Sequence, residues 1–108
     1  MKDNILEVPQ FDQYARAGKC DVCGKETMVA VCASTMGPVS LAYCRNCLES
    51  GAEPYSFMVA YVACAGEWPK DIRPEAQARI RKLLAYHNKT EAEFAEDIAA
   101  MQKAQALL

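Results

Sequence analysis

At 108 residues, 52% of them apolar and 24% charged, the chain has room for one domain with a buried core and is too apolar for a disordered or fibrous protein. Twelve Lys and Arg against fourteen Asp and Glu give a net charge of −2, which argues against a protein devoted to wrapping phosphate backbone. The start Met1-Lys2-Asp3-Asn4 lacks the basic region and apolar stretch of a secretion signal, and the longest apolar run, 57–65, is about half of the roughly 20 residues a membrane-spanning helix needs. Six cysteines in such a chain point to metal binding in a reducing, cytoplasmic setting rather than to a disulfide framework.

In chain order, residues 1–19 read as an arm that packs on the domain through Ile5, Leu6, Val8, Phe11 and Tyr14, with Pro9 preventing one continuous helix. Residues 20–24 read as a tight turn in which Gly24 supplies a positive φ angle, folding backbone amides toward a metal-bound sulfur. The β-prone runs 28–32 and 39–43 flank Ser34-Thr35-Met36-Gly37-Pro38, a turn-forming cluster, and so pair as a hairpin. Residues 44–50 suit a short helix ended by Gly51.

Residues 55–65 carry two signals. Tyr55, Phe57, Val59 and Tyr61 alternate like a strand, whereas Pro54 before the first turn, three alanines and a closing Gly66 suit a buried helix, the reading preferred here. Asp71 is the expected N-cap of a helix over 72–86, with Ala76, Ile80, Leu83, Leu84 and His87 at helical spacing and Pro74 confined to the first turn. Thr90 and Glu93 form a capping box that starts a last helix to about Ala106, with Phe94, Ile98 and Met101 as its buried stripe. The short connection His87-Asn88-Lys89 predicts that these two helices lie antiparallel as a hairpin. The expected fold is thus α+β in one domain, 1–108: arm 1–19, zinc module 20–50, and a helical part 51–108.

The chemistry concentrates in two C-x2-C pairs, Cys20-Asp21-Val22-Cys23 and Cys44-Arg45-Asn46-Cys47. The spacing between them is typical of four-cysteine zinc sites. Two intervening residues let one turn aim both sulfurs at a point, and the hairpin returns the second pair to complete a tetrahedron with bonds of about 2.3 Å. One zinc ion held by Cys20, Cys23, Cys44 and Cys47 would have no open position for water, so its role would be structural. A redox-active pair and an iron–sulfur cluster are the alternatives; the former normally uses a single pair at a strand-to-helix junction.

At these residues the chain resembles the broad zinc-ribbon and treble-clef zinc-finger class. The matching stretches are Cys20-Asp21-Val22-Cys23-Gly24-Lys25 and Tyr43-Cys44-Arg45-Asn46-Cys47-Leu48, and the resemblance covers about residues 18–50. A treble clef takes its second ligand pair from the first turn of a helix, a ribbon from a second knuckle, and Gly51 and Pro54 leave that choice open. The class includes ribosomal proteins, transcription elements, nucleases and protein adaptors, so the resemblance fixes no use.

Outside the pairs, Cys32 and Cys64 read as small buried hydrophobes, with a replacement or fifth ligand as the sharper alternative. His87, the sole histidine, invites comparison with nucleases of the histidine–asparagine–histidine type, but such sites need further histidines. It reads instead as a helix-end residue near the C-terminal dipole. Lys70, Arg73, Arg79, Arg81, Lys82 and Lys89 form a basic stretch balanced by Glu91, Glu93, Glu96 and Asp97 in the following helix. No paired acid and base and no glycine-rich phosphate loop stand out.

The expected function is a non-enzymatic, zinc-stabilised interaction module or adaptor that meets protein, a partner or a second copy, through its C-terminal helices. There Ala92, Ala95, Ala99 and Ala106 line a strip beside the apolar stripe, and Leu107-Leu108 adds apolar surface. The alternative is a nucleic-acid-binding regulator that uses Lys19, Lys25, Arg45 and the basic helix. No membrane association is expected.

Overall fold

A computed structural model describes residues 10–108. It is a mixed α+β structure: one helical turn, three strands and four helices among the described residues. The order is α1 (Phe11–Tyr14), β1 (Arg16–Lys19), β2 (Glu26–Ala33), β3 (Ser40–Cys44), α2 (Arg45–Ser50), α3 (Tyr55–Ala65), α4 (Pro74–Tyr86) and α5 (Glu91–Ala106). The chain divides into two compact units, Met1–Pro54 and Tyr55–Leu108. Among the described residues no helix is long and apolar enough to cross a membrane.

In the first unit the strands form one antiparallel sheet in the order β1-β2-β3. The predicted hairpin is present, its register running from Val29 opposite Cys44 to Ala33 opposite Ser40. Val29 and Val31 supply the β-branched shape that suits a pleated surface, and Ser34 N–H donates to the Val39 carbonyl at 2.9 Å where the hairpin turns. α2 ends as expected at Gly51, whose φ of 65° is the left-handed geometry of a helix C-cap.

The predicted arm is corrected for the part the structure describes. Residues 16–19 form an edge strand, with Arg16 opposite Val29 and Lys19 opposite Glu26. The run Arg16-Ala17-Gly18-Lys19 has no β-branched or aromatic residue, so its strand geometry comes from β2's ladder rather than from local propensity. Phe11 is buried in α1, while Tyr14 is 59% exposed. The readings of Ile5, Leu6 and Val8 lie outside the described residues.

In the second unit residues 55–65 are helix, not strand, and bury Met58, Val59, Val62 and Ala63. α5 packs mainly along α3 and less along α4, which amends the expected two-helix hairpin to a three-helix arrangement. Tyr55, at the start of α3, donates its hydroxyl to Asp97 and packs on Phe94. At the other end, Gln102 Nε2 donates to the Ala63 and Gly66 carbonyls at 3.2 and 2.9 Å, so the two helices run in the same direction. Those bonds satisfy carbonyls that a helix end leaves without intrahelical partners. Phe94 is fully buried between Tyr55 and Trp68, its ring 5.2 Å from that of Trp68.

Two caps were anticipated, and one is corrected. Thr90 and Glu93 make both bonds of the capping box. Asp71 does not cap α4. Its carboxylate instead accepts the Glu67 N–H at 2.8 Å and closes the loop before the helix, whose N-cap is Arg73. In α5 the stripe holds for Phe94 and Ile98, which are buried, whereas Met101 is half-buried.

Candidate metal centre

The four cysteines of the two C-x2-C pairs come together in the first unit, with their sulfurs all within 4.8 Å of one another. Ligands bonded at about 2.3 Å in a tetrahedron stand about 3.8 Å apart. Cys23 Sγ and Cys44 Sγ are 3.9 Å apart, too far for a disulfide and right for two ligands of one ion. None of the six cysteines is in a disulfide.

The first pair is held by a backbone turn. Gly24 N–H donates to the Cys20 carbonyl and Cys20 N–H to the Lys25 carbonyl, each at 2.9 Å, and Gly24 has the positive φ, 78°, that such a turn requires. Asp21 fastens the turn to β3: its N–H donates to the Ala42 carbonyl, and its carboxylate accepts the Ala42 N–H, both at 2.8 Å. The second pair spans a strand-to-helix junction, with Cys44 the last residue of β3 and N-cap of α2, and Cys47 in the first turn of that helix.

Three of the sulfur-bearing residues are buried, Cys20 and Cys47 completely, while Cys23 faces solvent. Backbone amides converge on Cys20 Sγ, from Cys44 at 3.3 Å and from Val22 at 3.4 Å. Burial is the largest single influence on this thiol and opposes its ionisation. The amides of Cys23, Cys44 and Val22 outweigh it and bring Cys20 down to about 7. Desolvation and the neighbouring Cys20 push Cys23 above the ordinary thiol range. Soft sulfur donors in this arrangement suit a thiophilic cation that would displace the remaining protons.

Neither Cys32 nor Cys64 joins the cluster. They are also not the buried hydrophobes expected: Cys32 is half-buried and Cys64 is exposed on α3, the outward face of a helix whose inner face Met58 and Val62 already fill. His87 is the C-cap of α4, its ring edge-on to Tyr55 and Tyr86 at 6.2 and 5.6 Å.

One residue near the site escaped sequence reading. Glu53 is 1% exposed, and its carboxylate accepts four hydrogen bonds, from Ser34 Oγ, Thr35 N, Thr35 Oγ1 and Tyr43 Oη, at 2.7 to 3.1 Å. Burial and the adjacent carboxylate push the Tyr43 phenol well above its ordinary range. The available signal was a carboxylate between Ala52 and Pro54 in an apolar context, which by itself looks like any loop residue. Comparisons with protein-family models, with curated proteins and with solved structures found no match.

Proposed function

We propose that the chain is a zinc-stabilised, non-enzymatic module that acts through contacts with protein. The observation that carries this reading is the cluster of four sulfurs within 4.8 Å. Four thiolates suit zinc, which has no geometric preference from d-electrons and takes tetrahedral sulfur sites readily. Cys20, Cys23, Cys44 and Cys47 would all be consumed as ligands, leaving no coordination position for substrate or water. A knuckle, a hairpin and a second pair on the first turn of a helix favour the treble clef over the ribbon.

The docking surface we favour is the outer side of α5, where Ala92, Ala95, Ala99 and Ala106 are exposed. Small side chains let another helix approach closely. The nucleic-acid alternative draws less support, because two of its cations already have partners: Arg81 pairs with Glu91 at 3.0 Å and Arg45 pairs with Asp12.

Elemental analysis of purified, reduced protein tests the metal: one zinc per chain is expected, and a folded chain without metal would overturn the reading. Cys32→Ala and Cys64→Ala should keep full occupancy. Light scattering on the intact chain and on Ala99→Glu tests contact through α5. A dependence of DNA affinity on salt steeper than about −3 in log–log slope, with loss on replacing Arg79, Arg81 and Lys82, would favour the alternative.

A further inference from the structure

A fully buried carboxylate is costly to desolvate, and Glu53 offsets that cost with hydrogen bonds from two different parts of the chain. Ser34 and Thr35 come from the loop of the hairpin, and Tyr43 comes from β3. If closing the loop were the whole role, Ser34 and Thr35 would suffice. The bond to Tyr43 is the informative one, because Tyr43 is 3% exposed and immediately precedes Cys44.

Successive side chains of a strand point to opposite faces. Fixing the Tyr43 side chain on one face of β3 therefore fixes the rotation of the strand about its own axis, and with it the direction of Cys44 on the other face. The residue before Glu53 is bonded to the other ligand of the pair. Ala52 N–H donates to the Cys47 carbonyl at 3.0 Å, so Glu53 follows directly on the residue that closes the exit of α2. The carboxylate thus restrains the strand that delivers Cys44 directly, and reaches the helix that delivers Cys47 through the adjoining Ala52.

We propose that Glu53, acting through Tyr43, is a positioning residue for the Cys44–Cys47 half of the metal site. The inference rests on the metal reading above and adds to it the residue that sets the geometry of the second ligand pair. The four hydrogen bonds of the Glu53 carboxylate come from hydroxyls and a backbone amide; it acts on the angle at which the sulfurs are presented, as outer-shell partners of metal ligands commonly do.

Cobalt(II) and zinc(II) titrations of the full chain test it, since cobalt in a four-thiolate site reports geometry in the energy of its visible bands as well as affinity in their growth. Tyr43→Phe and Thr35→Ala each remove one hydrogen bond to the same carboxylate. Tyr43→Phe should weaken metal binding about tenfold and shift the cobalt bands, whereas Thr35→Ala should leave both near wild type. Glu53→Gln should show the larger effect; should it fail to fold, the phenylalanine variant, which preserves the ring, carries the test. Equal affinity and identical bands in Tyr43→Phe and wild type, or equal losses in both single-bond variants, would overturn the positioning role while leaving the metal site intact. A wild-type chain that takes up neither metal would overturn both.

Discussion

Within Met1–Pro54 the buried side chains include Phe11, Val29, Tyr43 and Leu48, but also three cysteines, Ser34 and the carboxylate of Glu53. Within Tyr55–Leu108 they include Met58, Val62, Ile80, Leu83, Leu84, Phe94 and Ile98, and no charged group among the described residues. The second unit has the usual basis of helical packing, non-directional burial worth about 25 cal/mol per Å2 of apolar surface. Among its described residues the first buries fewer large apolar side chains and fixes its strands at directional points: amides on sulfur, hydroxyls on a carboxylate, and four cysteine sulfurs drawn within 4.8 Å of one another. Directional fastening specifies geometry closely but fails abruptly when a single partner is removed.

The largest expected effect separates the two units by metal removal. Structural zinc contributes roughly 10 to 16 kcal/mol in small peptides, comparable to the net stability of a whole domain. A chelator strong enough to strip the ion should therefore abolish hydrogen-exchange protection across β2 and β3 while α3 and α5 stay protected, and Cys23→Ser should do the same. Concerted loss of protection in both units would break the comparison. In the opposite direction, Phe94→Ala should cost the second unit about 3 to 5 kcal/mol, read by denaturant titration, and leave metal content unchanged.

Alkaline pH should strain both units, through a different tyrosine in each. Burial and a neighbouring carboxylate raise the phenol of Tyr43, with Glu53, and of Tyr55, with Asp97, so both folded states favour the protonated form. That stability is fully present below the unfolded phenol value of about 10 and is lost as pH rises toward the raised folded values. Phenolate absorbance from these two rings should appear together with unfolding. The smallest effect belongs to Thr90→Ala, which removes one half of the capping box of α5 and should cost about 1 kcal/mol, measured as a fall in denaturation midpoint.

What the sequence disclosed follows the same division. The gathering of Cys20, Cys23, Cys44 and Cys47 was legible because the C-x2-C spacing is a local property, and α4 and α5 because Pro74, Thr90 and Glu93 mark their starts within a few residues of chain. Residues 16–19 were not legible as a strand, since their conformation is supplied by Val29 and its neighbours across the ladder. Glu53 was hidden for a similar reason: its partners lie 10 to 19 residues away and meet it only after the hairpin has formed. Asp71 misled because a carboxylate before a helix serves an N-cap or a loop closure equally well in sequence, and here it is the Glu67 amide that donates to it. The exposure of Cys64 was masked by residues 55–65 being apolar on every side, so that periodicity could not say which face turns inward.

Trp68 is the single tryptophan of the chain, and it sits wholly within the second unit, edge-on to Phe94, with Arg81 over its ring at 5.2 Å and its indole N–H donating to Glu91. Its emission is therefore an optical channel for that unit alone. Thiolate-to-cobalt absorption at Cys20, Cys23, Cys44 and Cys47 would be a second channel, at wavelengths where tryptophan is silent. Coincidence of transitions seen by independent probes is the standard test of all-or-none unfolding. A single heated sample, with no label added to the protein, can thus reveal whether the two halves of this chain melt as one body or as two.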